Sequence, residues 1–197
     1  MTQDCIDSAG ELNVVLVETS GSRVEYRGVN TYVMYEGEFN YHRALNMGLQ
    51  FANSDIHILA NNDLLFHEGW DAIGYYMKEM GYDSASAWFK GSVFPTGPYV
   101  YNGMSIGQHL TGWCLFITKE AMQKIGKLNE GVDFWYSDNL YAEQLKAHGL
   151  RHGIFCNVRV DHLGSQTLAK MPIKIKREFS LGQLGKYKLC QRQGSMN

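Results

Sequence analysis

The sequence predicts a single α/β domain whose sheet is mostly parallel and flanked by helices, and three observations carry that prediction. Short apolar runs rich in β-branched residues alternate with stretches whose apolar residues recur at helical spacing, the order expected of strand and helix units. Polar turns follow the strand runs, as at Glu18-Thr19-Ser20-Gly21-Ser22 and Asn61-Asn62-Asp63. The chain has 197 residues, enough for one substantial core and short for two. Its hydrophobic share of 45% and charged share of 19% are those of a globular protein, and a formal net charge of -2 argues against capture of nucleic acid by bulk electrostatics. Any charged partner must be met locally.

Taken in order, residues 2–9 read as helix with Gly10 as the stop, and residues 12–17 as a β-branched strand. A second strand is expected at 31–35. Ala44, Leu45, Gly48, Leu49 and Ala52 recur at helical spacing, with Asn40 placed to cap the helix start. A buried strand at 56–60 then runs into the Asn-Asn-Asp triplet, and a helix over 69–80 closes at Gly81. Residues 84–89 read as strand, and 90–108 as a long Gly- and Tyr-rich binding loop, mobile without ligand. Next come a strand at 110–117, a helix at 119–125 capped by Thr118, a helix reaching 148 with Asp138 at its start, and a last strand at 151–160. Asp161-His162-Leu163-Gly164-Ser165 is the polar turn after it. Residues 1–169 form the expected domain, and 170–197 a basic amphipathic helical tail.

No apolar run approaches the roughly 18 residues needed to cross a bilayer, and Met1-Thr2-Gln3-Asp4-Cys5 lacks a secretory profile, so the expected location is cytoplasmic. Cys5, Cys114, Cys156 and Cys190 lie far apart with no Cys-x-x-Cys pair, which points to free thiols. The strongest chemical signal is Asp63. In open α/β sheets ligands gather beyond the carboxyl ends of strands, and a carboxylate there is well sited for a metal ion. The competing reading makes the triplet a turn that closes the strand.

Asn46 with Gly48, the strand ending Asn61-Asn62-Asp63, Gly112, Gly126, Glu130, Phe134-Trp135-Tyr136-Ser137-Asp138, Gly149 and His162-Leu163-Gly164-Ser165 recur in a recognisable order. From about Leu12 to Thr167 the chain resembles family 2 glycosyltransferases of the Rossmann-like GT-A fold. The resemblance implies transfer of a sugar from a nucleoside diphosphate sugar to a hydroxyl-bearing acceptor, with inversion and with Mn²⁺ or Mg²⁺ as cofactor. It makes Asp63 the surviving acid of an Asp-x-Asp element, with Asn61 in the first place, and His162 a second metal ligand. Asp138 matches the base that takes the acceptor's proton. Glu18, Arg43, Asn46, Asn61 and Asp63 are the expected donor contacts; Trp113, Tyr99, Tyr101 and His109 are the expected acceptor contacts.

Members of that family open with a strand and a nucleotide-pocket loop that nothing before Thr2 supplies. The resemblance therefore implies a sheet without its usual first strand and an open edge at 12–17, met by self-association into a homo-oligomer or by the basic tail. Two rival readings stand beside transfer: a weak or inactive GT-A-like nucleotide-sugar-binding module, and a nucleotidyltransferase. The sequence contains no P-loop.

Overall fold

A computed structural model describes residues 1–164 and 172–194. In chain order the elements are α1 (Thr2–Ala9), β1 (Val14–Glu18), β2 (Val29–Met34), α2 (Tyr41–Leu49), β3 (Ile56–Ala60), β4 (Leu64–Phe66), α3 (Ala72–Met80), β5 (Ser84–Trp88), β6 (Val100–Asn102), β7 (Cys114–Thr118), α4 (Lys119–Ile125), α5 (Ser137–Ala147), β8 (His152–His162) and α6 (Ile173–Gly194). No helix among the described residues is long and apolar enough to cross a membrane. The cysteines are free, with Cys5, Cys114 and Cys156 buried.

The helix starts follow from local chemistry. The Asn40 side chain accepts from the Arg43 amide at 3.0 Å, and the Thr118 hydroxyl from the Ala121 amide at 3.1 Å, so one otherwise unpaired amide is satisfied in each first turn. Gly81 ends α3 at φ 67, a left-handed turn that a side chain would strain. Helix α5 departs from expectation. Tyr136 sits ahead of it at φ 70 while Asp138 lies inside the first turn, so Asp138 is not the cap.

The α/β class holds, but the sheet is mixed where a mostly parallel one was expected. One six-stranded sheet runs β3-β7-β5-β8-β4, with β6 also on β8, and β1 and β2 form a separate pair. β1 to β2 and β5 to β8 are parallel, whereas β3 to β7, β5 to β7, β4 to β8 and β6 to β8 are antiparallel. Two short strands cause much of the difference. Leu64-Leu65-Phe66 is too short for periodicity to reveal, yet it pairs with the end of β8 and so carries that strand through Asp161 and His162, where a turn was expected. β6 likewise gives the 90–108 segment a strand of its own.

Helices cover both faces. Along β7, Cys114 and Phe116 enter one apolar cluster with Met77 of α3 and Cys5 of α1, and Leu115 and Ile117 enter another with Met122 of α4 and Leu145 of α5. This is the two-residue alternation of a strand buried on both sides. Leu45 and Leu49 of α2 pack on the second cluster. The tail helix α6 also docks: Gln183, 2% exposed, accepts from the Asp133 amide at 2.7 Å, and Tyr187 stacks on Tyr136 with ring centroids 5.2 Å apart.

Candidate functional site

The end of β3 is tied down on two sides. The Asn61 amide donates to the Trp113 carbonyl at 2.9 Å, and the Leu163 amide to the Asp63 carbonyl at 2.9 Å. These bonds, with Leu64 paired to His162 in the β4–β8 register, bring Asp63 and His162 together although 99 residues separate them in sequence (162 − 63). Asp63 Oδ1 lies 3.1 Å from His162 Nε2. Both atoms are buried and neither finds a hydrogen-bond partner: the distance suits an ion pair, but the direction does not suit a hydrogen bond. The Trp113 ring stacks on the His162 imidazole at 5.3 Å and 8° and fixes its plane.

Two unsatisfied atoms facing one another in a buried corner are costly unless something joins them. A carboxylate oxygen and an imidazole nitrogen, each about 2.1 Å from one ion and at right angles, lie roughly 3 Å apart, so this donor pair fits a divalent cation. No cluster of three or more His, Cys, Asp or Glu side chains occurs among the described residues, so a cation held here takes its remaining ligands from water or substrate.

Asp138, the expected base, packs against Gly112. It is half-buried, and that burial raises its carboxyl pKa against the opposing pull of the Asn139 amide and its own, the former bonded to Oδ1 at 2.9 Å. A Cβ on residue 112 would sit 2.8 Å from the Asp138 Cβ, which explains a glycine there. The Gly112 carbonyl accepts from the Tyr41 hydroxyl at 3.1 Å. Burial raises the pKa of that phenol, and Cys114, Asp138 and Asp63 raise it further. Nothing in the local sequence around Tyr41 announces this. The contact spans 71 positions and exists only because Asn40 starts α2 there.

A cavity of about 740 Å³ opens beside this corner. Its polar end carries Glu18, Thr19, Asn61, Asn62 and Asp63, near the aromatic rings of Tyr41 and Phe134. At the end of β1, burial pushes the Glu18 carboxyl up, but bonds from the Ser20 amide and the Tyr32 hydroxyl outweigh it and hold the pKa below the usual range. Arg43 and Asn46 are engaged elsewhere. Arg43 Nε donates to Glu130 at 3.3 Å and Asn46 Nδ2 to Glu130 at 2.9 Å and to the Leu128 carbonyl at 2.9 Å, which fastens α2 to the 128–130 loop.

The four residues expected at the acceptor divide. Trp113 stands in the Asp63–His162 corner, and Phe89 meets it edge-on at 5.5 Å. Tyr99, Tyr101 and His109 do not line the cavity. Tyr101 stacks on Phe94 at 4.5 Å and pairs with Ile154, and His109 packs on Phe94 at 4.8 Å.

No protein-family model matches this sequence, and no curated protein matches it. Solved structures do. GalNAc-T7 with UDP, GalNAc and Mn²⁺ is similar at a TM-score of 0.61 and 13% identity, over 76% of this chain and 37% of that one. TarS 1-349 of S. aureus in complex with UDP-GlcNAc is similar at 0.58 and 11%, over 83% and 53%. A further structure of TarS 1-349 is similar at 0.56 and 11%, over 77% and 51%. The chain thus spans between 37% and 53% of the length of these chains. At such identities the likeness speaks to fold, and the fold is GT-A-like.

Proposed function

We propose that this GT-A-like chain transfers a sugar from a nucleoside diphosphate sugar to a hydroxyl acceptor, with inversion and with divalent-metal assistance. The observation that carries the reading is the pair of buried, unsatisfied atoms on Asp63, which lines the cavity, and on His162 beside it. Those two side chains would hold Mn²⁺ or Mg²⁺, which when bound supplies Lewis-acid neutralisation of the charge that builds on a departing diphosphate. Asp138 accepts the proton of the attacking hydroxyl. A half-buried carboxylate is the better base for that step, because its raised pKa moves it toward the working pH. Tyr41 positions it by holding the Gly112 carbonyl, and Trp113 orients the imidazole of His162. Phe134 forms part of the wall at the cavity's polar end, a surface suited to a sugar ring.

The test is calorimetric titration of UDP with Mn²⁺ and with a chelator. The expected result is affinity at least about 10-fold tighter with metal, a gain lost in Asp63→Ala. Equal affinity in both conditions overturns the metal role. A weak or inactive nucleotide-sugar-binding module is the second reading, favoured by one observation: Asn61 stands in the first place of the Asp-x-Asp element. Binding of UDP-GlcNAc without release of UDP in the presence of acceptor extracts would support that alternative, and release of pyrophosphate from a nucleoside triphosphate would support a nucleotidyltransferase.

A further inference from the structure

Among the described residues one non-glycine takes a positive φ: Tyr136, at φ 70 and ψ 6. A side chain strains that left-handed turn, so a tyrosine keeps it only where its surroundings hold it there. The residue stands at a joint. Its carbonyl accepts a backbone bond of α5 from the Leu140 amide at 3.0 Å, and Asp138 lies between the two. Whatever fixes Tyr136 therefore aims the first turn of α5 and the Asp138 carboxylate on it. The seat is tight, since a Cβ on residue 112 would already meet the Asp138 Cβ at 2.8 Å.

The hold comes from α6. Tyr187 lays its ring flat on Tyr136, with centroids 5.2 Å apart and planes 8° apart, and its hydroxyl donates to Glu143 Oε1 further along α5. Gln191 Nε2 donates to the same Glu143 oxygen and to the Tyr187 hydroxyl, each at 2.9 Å. One side chain thus spans the joint, gripping the residue before α5 and the body of the helix after it. Neighbouring contacts keep α6 from sliding. Gln183 accepts from the Asp133 and Phe134 amides, Lys186 reaches the Asp133 carboxylate at 2.6 Å, and Phe179 packs on Trp135 with ring centroids 5.1 Å apart. Every residue from Asp133 to Tyr136 therefore has a partner on α6.

We infer that Tyr187 is a positioning residue for the base: its ring holds Tyr136 in the left-handed turn and so keeps Asp138 aimed at the attacking hydroxyl. The inference rests on the reading of Asp138 as that base. Packing alone would ask only for apolar surface at positions 136 and 187. Holding a strained turn asks for more. It needs a flat ring at 187, and at 136 either a partner for that ring or a glycine, which takes φ 70 without strain.

The experiment compares the full chain with Tyr187→Leu, Tyr187→Phe, Tyr136→Ala and Tyr136→Gly. Two readouts are taken: hydrogen exchange at the Leu140 amide, with the β7 amides as reference, and release of UDP from UDP-GlcNAc. Exchange at Leu140 should be at least about 10-fold faster in Tyr187→Leu and in Tyr136→Ala, the scale set by the cost of a left-handed residue, with the β7 amides unchanged. Tyr187→Phe keeps the ring and Tyr136→Gly removes the strain, so each should recover most of that loss. The kcat for UDP release should follow the same order at unchanged KM. Parent-like exchange in Tyr187→Leu, equal losses in Tyr187→Leu and Tyr187→Phe, or faster exchange in Tyr136→Gly than in Tyr136→Ala each overturns the inference. Opening of the β7 amides together with Leu140 overturns it too, by making Tyr187 a general support of the fold. A parent that releases no UDP counts against the proposed transfer, while the order of exchange at Leu140 still upholds or overturns the hold on Tyr136.

Discussion

At the scale of single residues, Asp138 carries the sharpest consequence. It was expected as the base, with helix capping as the competing reading, and a cap would tolerate Asn with full activity. It is the second residue of α5 rather than its cap, and its carboxylate accepts from the first-turn Asn139 amide, a bond that an Asn side-chain oxygen can also make. Asp138→Asn should therefore keep its urea midpoint and its affinity for UDP, yet transfer sugar at least about 100-fold more slowly, the lower end of general-base assistance. Wild-type turnover in that variant, measured on an accepted substrate, would remove Asp138 from the chemistry.

At the scale of elements, the β5–β8 pair is joined by more than its ladder. His152 at the start of β8 is fully buried, with Nδ1 2.9 Å from the Ser84 hydroxyl and Nε2 3.1 Å from the His109 carbonyl, while Ser84 meets the Tyr141 hydroxyl of α5 at 2.7 Å. Burial depresses its pKa to about 4. The unfolded chain, near 6.5, then binds a proton that the native state refuses. The contribution is fully present above about pH 6.5 and is lost as pH falls toward about 4, by an amount of order 3 kcal/mol. Denaturation by urea across that window should show the loss in the parent and a flatter profile in His152→Asn. Parallel profiles would show that another group carries the pH dependence. The tail is an element of the same kind, held by Gln183 on the Asp133 and Phe134 amides and by Lys186 on the Asp133 carboxylate. It covers the aromatic run without pairing with β1, and its Phe179 lines the cavity beside that strand.

At the scale of the whole molecule, the division of the sheet sets the order of stability. β5 and β7 lie inside a six-stranded sheet with helices on both faces, whereas β1 and β2 form a two-stranded ribbon beside a void. An isolated pair of strands is marginal. Native-state hydrogen exchange should find the β1 amides opening at least about 100-fold more readily than those of β7, because the ribbon can open without the core. Equal protection would mean that the two sheets unfold as one unit. The sequence by itself determined the α/β class, the helices capped by Asn40 and Thr118, and Asp63 at a strand end, because periodicity, capping and turn chemistry act over a few neighbours. It also offered His162 and Asp138 through an ordered resemblance. Strand direction, the short strands β4 and β6, the meeting of Asp63 with His162, the diversion of Arg43 and Asn46 to Glu130, and the seating of the Tyr41 hydroxyl on the Gly112 carbonyl were decided by tertiary structure. Each of these depends on pairings between residues far apart in the chain, and no local pattern records which distant edge or side chain will be the partner.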